Sequence, residues 1–335
     1  MKRTPALRQT NTIMGNPSAQ REAILVTGWC QSTRSIVACL RRAGHPVAVY
    51  ASNHFDTTEC QPISPNAIQI KALDRSVRII HQLDEVGPFK LVIGGTDENE
   101  FQKRALIRQL EGVLSPDAVI AINTESIPLS SLQREAHHPE RIIGVNWTEP
   151  ADTTYFLEII ANEKTNLRLV DDFYTMAKDY WQKDPYVVRS DAGIRTRMLC
   201  AMIREAFYLL ENGYVSVEDI DRACRNDPGY YLPFSGHFRY MDLMGAFIYG
   251  VVMQDLFPEL SKARHVPQFF TEMVQNGGLG MSSGEGFYTY KAGEAEQWKT
   301  SFREFSQQIR QLMSQYPFGY EAASERAHNQ SVVHE

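Results

Sequence analysis

The sequence predicts an α/β chain, with a doubly wound parallel sheet in the N-terminal half followed by an all-α C-terminal domain. Three observations carry this. Short, uniformly apolar runs recur through the first half, each the length of a strand buried on both faces. Amphipathic stretches of helical period alternate with them, as a parallel sheet with crossover helices requires. After residue 163 the apolar runs nearly stop and helical periodicity takes over.

The first run, residues 23–27 (AILVT), ends at Gly28. A helical stretch over 35–43 stops at Gly44, a good helix terminator, and 46–51 (PVAVYA) is the second run. Strand, tight turn, helix and strand within about 30 residues make a βαβ unit, the opening of a Rossmann-like domain. Residues 52–67 read as irregular. Strand and helix follow over 68–83, a strand over 89–94, a helix over 98–114 and a strand over 118–123. A short helix over 128–136 and strands over 142–146 and 156–160 complete the half.

In the second half, helices are expected over 167–182, 195–212, 217–225, 238–257, 266–275 and 298–314. A short strand stands at 186–188 and a glycine-rich stretch at 277–286. Ser216-Val217-Glu218-Asp219 is a capping-box pattern that opens the helix at 217. The domain plan is a tail over 1–21, a Rossmann-like domain over 22–163, a helical domain over 164–318 and a tail over 319–335.

Bulk properties narrow the function. At 335 residues the chain can bury two cores. A net charge of -6 leaves no electrostatic footprint for nucleic acid or an anionic membrane. The five cysteines are scattered without metal-ligand spacing, so reduced thiols and no metal are expected. No apolar run approaches the ~20 residues of a membrane span, and residues 1–21 lack the apolar centre of a secretion signal. The expected location is the cytoplasm.

A βαβ unit binds a dinucleotide when its first turn reads GxGxxG and its second strand ends in an acid. Here the turn is Gly28-Trp29-Cys30-Gln31-Ser32-Thr33. The first glycine is present, Cys30 and Thr33 replace the other two, and Ala51 replaces the acid, with Asn53 two residues on. NAD binding through Gly28, Cys30, Thr33 and Asn53 stands beside a scaffold that binds NAD poorly or not at all.

Several stretches together resemble the 3-hydroxyacyl-CoA dehydrogenase family over most of residues 23–291. They are LVIGGTDENEFQK at 91–103, VIAINTES at 119–126 and PERIIGVNWTEPADTTYFLE at 139–158, continuing with EAFYLLENGYVSVEDID at 205–221, GHFRYMDLMG at 236–245 and GEGFYTY at 284–290. The resemblance implies an N-terminal Rossmann domain, a helical domain that forms a homodimer, a cleft between them, and oxidation of a 3-hydroxyl on a small-molecule substrate with NAD. It places the family's catalytic histidine on Asn146 and the glutamate that orients it on Glu158. The serine that bonds the substrate hydroxyl falls on Glu125, the asparagine before the proline on Glu149, and the asparagine opening the second domain's long helix on Thr196. The acid ending the strand over 89–94 becomes Gly94, while the lysine after it survives as Lys103. Gly94, Lys103 and Asn123 complete the implied cofactor contacts. The segment before Leu91 is shorter than in acyl-CoA-binding members, which favours a small acid at least as well as an acyl-CoA.

Alcohol oxidation needs a group that takes a proton while hydride leaves, and histidine suits this near neutrality. Asn146 cannot take a proton at ordinary pH. Glu125 and Glu149 are new carboxylates on segments that the family places beside the cleft, and with Glu158 they make three acids. Crowded carboxylates raise at least one pKa, so Glu125 or Glu149 is the candidate acid/base; salt bridges or solvent are the plainer role for both. Arg195 could meet an anionic substrate, whereas His137 and His138 read as solvent-exposed and His237 as packing. Three classes follow: a divergent NAD-dependent dehydrogenase, a non-redox enzyme using a glutamate acid/base, and a non-catalytic binding protein on this fold.

Overall fold

The structure, a computed structural model, describes residues 21–28, 30–50, 77–83, 87–96 and 98–316. Asn53, both predicted tails except Arg21, and most of the stretch predicted over 68–83 lie outside these residues.

Two compact units divide the chain, Met1–Arg197 and Met198–Glu335. The first is built on eight strands: β1 (Ile24–Thr27), β2 (Val47–Tyr50), β3 (Val77–Ile80), β4 (Leu91–Gly94), β5 (Val119–Ile122), β6 (Ile142–Trp147), β7 (Phe156–Ala161) and β8 (Asp184–Arg189). Their spatial order is β3-β2-β1-β4-β5-β6-β7-β8. Strands β3 to β6 run parallel, β7 turns antiparallel to β6, and β8 runs parallel to β7.

The apolar runs form strands because both faces are covered. On one face Val26, Val49, Ile93 and Val145 share a core with Val37 and Leu40 of α1 (Gln31–Arg42) and Val170 and Phe173 of α4 (Leu167–Asp179). On the other, Leu25, Val92, Ile120 and Ile142 pack with Leu106, Ile107 and Leu110 of α2 (Glu100–Val113), and with Leu129 of α3 (Leu129–Gln133). Burying a side chain of this kind contributes about 1.5–3 kcal/mol each.

The sheet does not stop at residue 163. Helix α4 lays its apolar stripe of Val170, Phe173, Met176 and Ala177 into the core. Strand β8 then pairs with β7 from Phe156↔Asp184 to Ala161↔Arg189. The first unit therefore reaches Arg197, and the segment after 163 is not wholly α. A single short strand carried too little apolar patterning to signal its place at the sheet edge.

Helix α5 (Arg195–Glu211) leads into the second unit, which is helical: α6 (Val217–Asn226), α7 (Pro228–Met244), α8 (Ala246–Leu256), α9 (Gln268–Gln275) and α10 (Glu294–Gln315). The stretch predicted as one helix over 238–257 parts at Gly245 into α7 and α8. Ser216 caps α6 by accepting the N–H of Asp219 at 3.1 Å, as its sequence pattern implies. No helix among the described residues is long and apolar enough to cross a membrane.

Candidate active site

In an open parallel sheet, ligands bind outside the carboxyl ends of the strands, where the strand order reverses. Here that point lies between β1 and β4. Gly28, Gly95, Asn123 to Glu125, and Thr148 and Glu149 all follow strand ends on this side, and Gly94 and Trp147 are the last residues of β4 and β6.

The nucleotide turn is tight. Gly28 has φ +82°, and a Cβ there would lie 2.4 Å from the carbonyl oxygen of Gly95. Thr33 stands where a dinucleotide turn usually has its third glycine. It fits because Gly95 has no side chain: a Cβ on Gly95 would come 2.2 Å from Thr33 Cγ2. The N–H of Cys30 donates to Thr33 Oγ1 at 2.8 Å, which closes the turn onto α1. No acidic residue stands in the first turn of α1. The partial positive charge of that helix end therefore remains available to a pyrophosphate. The turn fits a dinucleotide through Gly28 and the helix end, despite its altered fingerprint.

Gly94 pairs with Ile122 across β4 and β5, and a Cβ there would meet Ile122 Cγ1 at 3.2 Å. Lys103 is fully buried. Its Nζ donates to Thr96 Oγ1 (3.0 Å), Asn123 O (2.9 Å) and Asn123 Oδ1 (3.0 Å), and it pairs with Glu98 at 3.3 Å. Asn123 returns a bond to the carbonyl of Thr96 at 2.9 Å. Lys103 and Asn123 thus tie together the loops that carry the site. Glu98 extends this knot: its Oε1 accepts the N–H groups of Glu125 (3.0 Å), Ser126 (2.7 Å) and Ile127 (3.0 Å). Burial pushes the Glu98 pKa up, but these bonds and Lys103 outweigh burial and leave it below the ordinary glutamate value.

Asn146, Glu158 and Tyr186 stand level across three adjacent strands, paired Asn146↔Glu158 and Glu158↔Tyr186. Asn146 is buried and all its polar groups are used. Its oxygen accepts the N–H of Thr124 at 2.9 Å, and its amide donates to the carbonyl of Thr124 (2.7 Å) and to Glu158 Oε2 (3.0 Å). Glu158 is fully buried and also accepts Tyr186 Oη (2.9 Å), Ile194 N–H (2.8 Å) and Arg195 N–H (3.2 Å) on Oε1. Burial first, then the Glu158 carboxylate, push the Tyr186 pKa upward, so the phenol stays protonated and donates. Asn146 and Glu158 together form a brace between the sheet and the start of α5.

The three acids do not form one cluster. Glu125 meets Arg195 Nη1 at 3.2 Å from each of its oxygens and takes the hydroxyl of Thr196. Glu149, joined to Pro150 through a cis peptide, instead accepts the hydroxyl of Ser35 on α1 at 2.8 Å. Ser35 also accepts the N–H of Ala151 at 2.9 Å. Glu125 and Glu158 share the start of α5, while Glu149 belongs to the nucleotide-turn helix. Sequence reasoning missed Glu98, Tyr186 and Ser35. Tyr186 alone had a usable signal, its alternation on a short strand.

A doubly wound sheet with a glycine turn and helix N-terminus after β1 is the architecture of a Rossmann-like dinucleotide-binding domain. Residues 34–192 match "3-hydroxyacyl-CoA dehydrogenase, NAD binding domain", and residues 194–290 match the C-terminal domain of the same family. The chain is 32% identical over 226 residues to a 3-hydroxybutyryl-CoA dehydrogenase of Bradyrhizobium diazoefficiens, across 66% of this chain and 74% of that one. It is 31% identical over 209 residues to a 5-formyl-3-hydroxy-2-methylpyridine 4-carboxylate 5-dehydrogenase of Mesorhizobium japonicum, across 62% of this chain and 67% of the other. A crystal structure of a dehydrogenase of that pyridine acid, described as an NAD+ dependent dismutase, superposes with a TM-score of 0.77 at 26% identity. That likeness covers 88% of this chain and 98% of the other. The chain belongs to the 3-hydroxyacyl-CoA dehydrogenase family, and its cofactor is NAD.

Proposed function

We propose that the protein is an NAD(H)-dependent dehydrogenase of a small 3-hydroxy or 3-oxo acid or acyl substrate, with Glu125 as the group that exchanges the proton. The observation behind this is the division of labour at the site. Asn146 and Glu158 are buried and fully bonded, whereas the Glu125 side chain is one-third exposed (33%) and flanked by a guanidinium and a hydroxyl. NAD, when bound, supplies the hydride acceptor. Gly28, Cys30, Thr33 and the N-terminus of α1 hold its pyrophosphate, with Gly94, Lys103 and Asn123 shaping the loops beside it. Thr196 positions Glu125, and Glu149 steadies the nucleotide-turn helix through Ser35. In the oxidative direction the substrate hydroxyl gives its proton to the Glu125 carboxylate.

Exposed apolar side chains on α7 and α8, including Phe238 (83%) and Phe247 (84%), support a homodimer through the helical unit. Sedimentation equilibrium checks this, and a monomer at micromolar concentration counts against it. A cytoplasmic location belongs to the same proposal.

The test is titration of the full chain with NADH, followed by fluorescence. Absence of binding at millimolar NADH sinks the dehydrogenase. If NADH binds, Glu125→Gln and Glu149→Gln are assayed against small hydroxy acids and 3-hydroxybutyryl-CoA. Loss of an acid/base group lowers turnover by about 10²–10⁴-fold. Unchanged turnover in Glu125→Gln removes the assigned role. A binding-only protein is the second proposal, favoured by the complete consumption of the Asn146 amide; it predicts NADH binding without turnover of any tested substrate.

A further inference from the structure

The chemistry above leaves most of Arg195 unused. Its guanidinium meets Glu125 through Nη1 alone. Among the described residues Nη2 and Nε make no hydrogen bond. The group is nevertheless held. Its backbone N–H is bound by Glu158 at 3.2 Å. The guanidinium carbon lies 5.8 Å from the centre of the Phe156 ring, which in turn meets Tyr186 edge-on at 5.7 Å. The Arg195 side chain is 33% exposed, so water and small solutes reach it.

We propose that Arg195 anchors a carboxylate of the substrate through Nη2 and Nε, which makes the substrate a small carboxylic acid rather than a thioester of coenzyme A. This rests on the active-site assignment above. The parallel N–H pair of a guanidinium matches a carboxylate in a bidentate fork, and five donors let one arginine serve two carboxylates. Arg195 is also the first residue of α5, whose N-terminal partial charge offsets the added negative charge. Glu125 braces Nη1, so the remaining fork is oriented before substrate arrives. A lysine at this position would supply the charge without the fork.

The experiment is isothermal titration of the full chain with isonicotinate and, as the uncharged control, isonicotinamide. Isonicotinate is expected to bind the native chain and to outcompete the amide. Arg195→Met should weaken isonicotinate by at least about tenfold, the scale of a hydrogen bond to a charged group. Arg195→Lys should fall between the two, and thermal melting of both variants confirms folding. Equal affinity for acid and amide, or equal affinity in the native chain and both Arg195 variants, overturns the anchor. NADH titration of the same proteins separates the two claims. Arg195-dependent isonicotinate binding without NADH binding removes the dehydrogenase and keeps the anchor. NADH binding with no acid preference does the reverse.

Discussion

Glu158 and Gly193 meet in a contact that admits no side chain. A Cβ on Gly193 would lie 2.0 Å from Glu158 Oε2. The buried carboxylate reaches the N–H groups of Ile194 and Arg195 because the chain at residue 193 is bare. Gly193→Ala therefore displaces either the carboxylate or the start of α5. Overpacking at such a site costs about 1–3 kcal/mol. Thermal or urea unfolding measures the cost, and an unchanged melting temperature contradicts it.

Thr33 and Gly95 form a second pair, in which one residue's volume depends on the other's absence. Gly95→Ala should destabilise the chain by about 1–3 kcal/mol and weaken NADH binding. Thr33→Gly combined with Gly95→Ala should recover most of that loss. A double-mutant cycle gives the coupling, and strictly additive effects show that the two sites do not share the space.

A histidine at position 146 would not fit the bonds that Asn146 makes. In Asn146→His an imidazole cannot supply the two donors and one acceptor that Thr124 and Glu158 use. We expect a loss of about 1–3 kcal/mol for each buried partner left unsatisfied. Asn146→Asp is the sharper variant. It sets a second buried carboxylate against Glu158, and the pair resists double ionisation. Its stability relative to the native chain should improve as pH falls, the opposite of a simple loss of a hydrogen bond. Melting curves across the acid range decide between the two.

Glu98 gives the native chain an acid-side dependence. Its folded pKa is depressed, so the stabilisation is fully present above the unfolded glutamate pKa and is lost as pH falls through the folded value. The melting temperature should fall from about pH 5 downward, and Glu98→Gln should flatten that fall. Equal pH profiles for the two proteins rule Glu98 out as a contributor.

Much of the fold was legible because strand burial leaves a local mark. The runs over 23–27, 89–94 and 118–123 are apolar on both faces since helices cover both sides of the sheet. Family likeness singled out Lys103, but its burial was not legible in the sequence. Nothing local announces that its ammonium ends among Thr96, Asn123 and Glu98. Glu125 and Glu149 follow the ends of β5 and β6 closely in the sequence. Their separation, one to Arg195 and the other to Ser35, depends on contacts across 70 and 114 residues of chain.

Asn146 marks the boundary between the two kinds of information. Its residue type alone excluded a proton acceptor, because an amide has no suitable pKa. Its place opposite Glu158 followed from family likeness. Its actual role came from folding, which brings Thr124 within bonding distance across 22 residues and Glu158 across 12. Those partners engage both polar atoms of the Asn146 side chain. A side chain's chemistry is set by its atoms, but what it is free to do is set by the groups that the tertiary structure places against it.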